Sequence, residues 1–158
     1  MLKILVVEDT PKHMADALRV AAEMGIEVVT ATNAEDAGRA MRKLKGYDEH
    51  EKLVYTPQVD GVVTDIFLPL AEREPYNHAK SPCGIKVAFQ AQNAGILFEL
   101  CTDGYHHGAE LEWIAELGVE LGWPYMIDGG QKHGDVSPSK PWRRAFESLT
   151  ARLEDAAA

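Results

Sequence analysis

Five strand-like runs and five helical patterns alternate along the chain. Lys3–Val7 is a short run rich in branched side chains, the pattern of a strand covered on both faces in a parallel sheet. Thr10 before Pro11 marks a helix start, and Met14, Ala17, Leu18, Ala21 and Ala22 set an apolar stripe at helical spacing that ends before Gly25. Residues 26–30 read as a second strand, and Asn33 with Asp36 opens a second helix predicted to run to about Lys45. Residues 59–64 are a third strand, 96–101 a fourth and 125–127 a short fifth, with helices expected over 84–93, 109–121 and 141–155.

Strands alternating with helices define an α/β domain with parallel strands and right-handed crossovers. Three segments do not fit the alternation and are expected to be insertions within one domain spanning 1–158, near 46–58, 70–83 and 129–139. The first carries Tyr47, Tyr55 and Pro57 without a clear period and reads as a long connection. Loops of this length in a compact domain are usually functional lids or locally disordered.

The whole chain has 158 residues with 16 Lys plus Arg against 25 Asp plus Glu, a formal charge of -9. Such a balance argues against nucleic acid, whose affinity comes largely from cations displacing counterions. Cys83 and Cys101 are too few for a disulfide scaffold, so a reducing compartment is expected. The apolar start is broken at Glu8 and Asp9, as neither a signal peptide nor a membrane span would be. The expected location is therefore the cytoplasm, with no membrane partner.

The chemistry sits at the strand ends, where ligands of open α/β sheets bind. Glu8 and Asp9 follow the first strand and Asp65 the third, so three carboxylates are predicted to converge. Their repulsion calls for a cation, and hard oxygen donors around a small site suit Mg²⁺. The alternative, that the acids meet solvent and Asp9 helps Thr10 cap a helix, stays open on these residues alone.

Val6-Val7-Glu8-Asp9, then Val62-Val63-Thr64-Asp65-Ile66-Phe67-Leu68-Pro69 with Pro four after the Asp, then Thr102 ending the fourth strand, resemble the receiver domain of two-component response regulators. The resemblance implies a flavodoxin-like, doubly wound sheet of five parallel strands, (βα)5, in order 2-1-3-4-5. It implies Asp65 as the phosphoacceptor, a carboxylate nucleophile forming an acyl phosphate. Glu8, Asp9, Asp65 and the backbone carbonyl of Phe67 are implied as Mg²⁺ ligands, and Thr102 as the hydroxyl that reads the phosphoryl group. The implied partners are a histidine kinase or phosphotransfer protein and a downstream protein, with a homodimer left open.

The family's lysine, usually at the end of the fifth strand, is displaced. Asp128 stands near its place, whereas a Lys-Pro pair occurs at Lys140-Pro141 and Lys132 competes within the preceding loop. Lys140 is favoured because Pro141 opens the last helix. A single-domain response regulator is the expected function, since no residues follow that helix to form an output domain, and self-catalysed phosphoryl transfer is left open. The main alternative is a pseudo-receiver adaptor that binds a partner without phosphorylation. A Mg²⁺-dependent phosphohydrolase is disfavoured because Phe67 stands where an acid two residues after the nucleophile would be needed.

Cys83, Cys101, His50, His78, His106, His107 and His133 match no zinc spacing. Trp113 is expected to be partial core, and Trp123 and Trp142 either core or partner face.

Overall fold

The structure, a computed structural model, describes residues 1–72, 81–104, 111–129 and 140–158. In chain order the elements are β1 (Lys3–Val7), α1 (Pro11–Glu23), β2 (Glu27–Ala31), α2 (Ala34–Met41), β3 (Arg42–Tyr47), β4 (Leu53–Pro57), β5 (Gly61–Thr64), α3 (Gly84–Asn93), β6 (Leu97–Leu100), α4 (Glu112–Glu120) and α5 (Trp142–Ala157).

The central sheet is parallel throughout, in the order β2-β1-β5-β6. Alternate side chains divide the core between its two faces. Ile4, Val6 and Val63 pack with α1 and α5 through Ala17, Ala21, Trp142 and Phe146. Leu5, Val7, Val62, Phe98 and Leu100 pack with α2, α3 and α4 through Ala37, Val87, Ala91 and Ile114. Both faces are covered, which is why β1 and β5 lack polar alternation.

Local rules place most ends. Thr10 is the N-cap of α1 with Pro11 at the first helical position, yet the Thr10 side chain makes no capping bond. Asn33 does cap α2, accepting a hydrogen bond from the Asp36 amide at 2.9 Å. Gly25 takes φ 68 after α1, a left-handed turn that a side chain would strain.

Three expected elements change. The second helix stops at Met41 because Arg42 turns extended, at φ -151 and ψ 147. The stretch read as an open connection is largely an antiparallel hairpin, β3 with β4, whose register shifts between Leu44 and Gly46. The fifth strand is reduced to one bridge, Cys101 with Ile127. Pro124 brings no amide hydrogen and Tyr125 is exposed, so pairing begins only at Ile127, whose amide donates to the Leu100 carbonyl at 2.8 Å.

Trp113 is exposed rather than partial core, whereas Trp123 and Trp142 are buried. The described parts of the expected insertions are 46–58, 70–72, 81–83 and 129; their remaining residues, together with Lys132, His78, His106, His107 and His133, lie outside the described residues.

Candidate functional site

β1 stands between β2 and β5, so the chain leaves it to one side first and returns on the other. That reversal opens a crevice beyond the strand ends. Val7 pairs with Thr64 across β1 and β5, which sets Glu8 and Asp65 side by side. The ladder continues past the strands: the Glu8 amide donates to the Ala31 carbonyl at 3.0 Å, the Asp65 amide to Val7 at 2.9 Å, and the Cys101 amide to Thr64 at 2.9 Å. The acids therefore stand on the rigid end of the sheet.

Glu8 is wholly buried and Asp65 nearly so. Lys140, also buried, answers them. Its Nζ lies 2.6 Å from Asp65 Oδ2 and also donates to Glu8 Oε2. The other Glu8 oxygen accepts from the Thr10 amide at 2.8 Å, and Asp65 Oδ1 accepts from the Ile66 amide at 2.7 Å. The turn after β5 is further pinned where the Thr64 hydroxyl donates to the Asp65 carbonyl at 2.8 Å. Lys140 thus reaches the acids directly from the residue before Pro141.

One ammonium does not balance three carboxylates. Oxygens of Glu8, Asp9 and Asp65 all lie within 4.8 Å of one another. Burial pushes the Asp65 carboxyl up from 3.8 to about 7, with Glu8 adding to the rise and Lys140 opposing it. Asp9 is also raised, by burial first and the Glu8 charge second. Burial works to lower Lys140, but Asp65 and Glu8 outweigh it and hold the lysine above its ordinary value. A divalent cation fits this donor set: the atoms are hard oxygens, the charge is uncompensated, and Asp9 is only partly buried. Each carboxylate oxygen can accept more than one partner, so the lysine contacts do not exhaust Asp65.

Thr102 follows Cys101, whose amide ties the end of β6 to Thr64. The Thr102 amide donates to the Ile127 carbonyl at 2.9 Å, and its hydroxyl oxygen accepts from the Gly104 amide at 3.1 Å. The hydroxyl hydrogen keeps its own donor capacity. The Phe67 side chain packs against the core. Asp128 is buried just beyond Ile127.

Two features of this end had little sequence signal. A Cβ on Gly84 would lie 1.9 Å from the Asp65 carbonyl oxygen, so α3 begins against the Asp65 turn only because this residue is glycine. His13 on α1 sits with Nε2 3.6 Å from Asp103 Oδ2, joining α1 to the segment after Thr102. Gly84 read only as a helix start, and His13 fell inside an ordinary helical pattern.

No protein-family model matches the chain, and no curated protein matches it in sequence. Solved structures do match. A CheY-like response regulator receiver domain protein from Methanospirillum hungatei is 15% identical with a TM-score of 0.60, over 98% of this chain and 95% of the other. The receiver domain of Francisella response regulator 1452 is 14% identical with a TM-score of 0.60, over 99% of each chain. The beryllofluoride-activated NtrC4 receiver domain dimer is 14% identical with a TM-score of 0.59, over 98% of each. The chain therefore has the flavodoxin-like receiver fold, an α/β architecture with a parallel central sheet and, among the described residues, five helices.

Proposed function

We propose that the chain is a phosphoacceptor signalling module in which Asp65 takes a phosphoryl group in a Mg²⁺-dependent reaction. The observation that carries this reading is the Lys140 ammonium held 2.6 Å from Asp65 and also paired with Glu8, beside an Asp9 carboxylate left for a cation. Phosphoryl transfer needs positioning and charge neutralisation more than covalent help from the protein. An ionised Asp65 would attack phosphorus at one carboxylate oxygen as the donor's leaving group departs, forming an acyl phosphate. Lys140 would neutralise one phosphoryl oxygen and Thr102 would donate its hydroxyl to another. When bound, Mg²⁺ would offset the remaining charge, with Glu8, Asp9, Asp65 and the Phe67 carbonyl as its protein ligands.

Recognition of phosphoryl state would then pass through Thr102, whose backbone joins the Ile127 bridge. Tyr125 is exposed two residues before that bridge. The donor would be a histidine kinase or phosphotransfer protein and the reader a downstream protein. No described helix is long and apolar enough to cross a membrane. A cytoplasmic setting fits this reading, and a homodimer is one form the signalling state could take.

The test is intact-mass analysis after incubation with phosphoramidate and Mg²⁺. One acid-labile phosphoryl group is expected on the chain and none on Asp65→Asn. Absence of labelling in both would favour the adaptor reading, in which the same fold binds its partner unmodified.

A further inference from the structure

The β3–β4 hairpin has no counterpart in the site chemistry and packs on neither core cluster. None of the residues in its two strands is buried, and none joins the apolar clusters on either face of the main sheet. A lone two-stranded hairpin is marginal in water unless something covers a face. Leu53, Tyr55 and Pro57 alternate onto one face, and the register sets Tyr47 opposite Leu53 and Leu44 opposite Tyr55 on that same face. Leu44 is 51% exposed, Tyr47 71% and Leu53 49%. Paired apolar side chains concentrated on one face differ from the scattered exposed residues that any surface carries.

Charge says what covers them. The strands carry Arg42, Lys43 and Lys45 and no acidic residue, in a chain whose formal charge is -9. Arg42 lies over the Tyr55 ring at 4.0 Å from its centroid, presenting a cation within the apolar face. A second copy is a poor occupant, because pairing β3 with itself would oppose lysines, the device that protects natural edges from self-association. Nucleic acid, a polyanion along its whole length, is disfavoured by the formal charge of -9 on the chain.

We propose that the β3–β4 hairpin is a docking surface for a protein partner presenting an acidic segment interspersed with apolar residues. The apolar side chains of that segment cover Leu44, Tyr47 and Leu53, and its carboxylates meet Arg42, on the same face, and Lys45, where the register shifts. This surface does not depend on phosphorylation of Asp65.

The test is an amide NMR titration of the full chain with a short synthetic peptide alternating Glu with Leu and Phe. The same peptide with Lys replacing Glu and a single-stranded oligothymidine serve as comparisons. Shifts are expected within 42–57, with the lysine peptide bound at least about tenfold more weakly, a difference of about 1.4 kcal/mol. Combining Leu44→Ser, Tyr47→Ser and Leu53→Ser should abolish the shifts, Lys45→Glu should weaken binding, and Lys43→Glu, on the opposite face, should leave it unchanged. Circular dichroism should show all variants folded, since the replaced side chains are exposed. Absence of shifts at millimolar peptide, shifts elsewhere, equal binding of both peptides or preferential binding of the oligonucleotide would overturn the proposal. So would a concentration-dependent dimer abolished by the serine variant, which would assign the face to a second copy.

Discussion

Glu8 with Asp65 at the ends of β1 and β5, and Glu99 within β6, are buried carboxylates on one sheet, and both meet a cation from the last stretch of the chain. Glu99 Oε1 accepts from the Ser148 hydroxyl at 2.9 Å and from Arg152 Nη1 at 2.9 Å, and Arg152 also donates to the Phe98 carbonyl at 2.8 Å. There one acid meets one guanidinium, whose several donors tie α5 to the strand. At the strand ends three acids meet one lysine, a point charge, among the described residues. The balanced cluster is suited to holding structure, whereas the unbalanced one is left with negative charge for a cation to offset. Burial of charge alone therefore does not mark a functional site; an excess of one sign on a rigid edge does.

Removing each cation should separate the two clusters. Arg152→Ala leaves Glu99 buried without its guanidinium and is expected to destabilise the chain by roughly 2 kcal/mol, below the range for a wholly buried pair because the Arg152 side chain is 34% exposed. Denaturant unfolding checks the loss, and phosphoryl labelling per folded molecule should be unchanged. A Glu99→Gln variant should lose less, since its amide oxygen can still accept from Ser148.

Metal should act on one cluster only. At about ten times its Kd, Mg²⁺ should stabilise the fold by about 1.4 kcal/mol, or roughly 3–6 °C in Tm. Asp9→Ala should remove the shift. Lys140→Ala should keep it, while weakening the response of Thr102 and Ile127 amides to beryllofluoride with Mg²⁺. Arg152→Ala should keep it as well, from a lower starting Tm. An equal shift in the Asp9 variant would place the cation elsewhere.

The smallest effect is a pH dependence of the metal-free protein. Folding raises Asp65 from 3.8 to about 7, so across that interval the folded chain holds a proton that the unfolded chain has released. This contribution is present at the acidic end and is lost as pH rises through about 7. The Lys140 contribution is full below that lysine's ordinary value of 10.5 and leaves this window unchanged. Thermal melts in chelator should therefore give a higher Tm near pH 5.5 than near pH 7.5, by about a few degrees. Asp65→Asn should flatten that component of the profile, whereas Glu99→Gln should leave it in place.

The contrast also explains what could be read from residues alone. Unbroken apolar runs announced β1 and β5, and the acids directly after them could point only to the strand ends. Lys140 was legible through its proline, although the route bringing it to Asp65 was not. The hairpin was hidden because RKLKGY lacks apolar alternation and follows a helix rich in good helix formers; only pairing with β4 makes it a strand. Glu99 left a signal that went unused, a charged residue inside the buried run LFEL, but its partners Ser148 and Arg152 are distant in sequence. The close approach of Gly84 to Asp65 likewise exists only in three dimensions.

The central claim is that Asp65, and not another buried carboxylate, carries the phosphoryl group. Borohydride reduces an acyl phosphate to an alcohol, converting the modified aspartate to homoserine, and peptide mass mapping then locates the change. After phosphoramidate, Mg²⁺ and reduction, homoserine is predicted at position 65 alone, with Asp9 unaltered and Glu8 and Glu99 unreduced. Reduction at another acid, or an unmodified Asp65 in a chain that nonetheless binds Mg²⁺ at Asp9, would contradict the account.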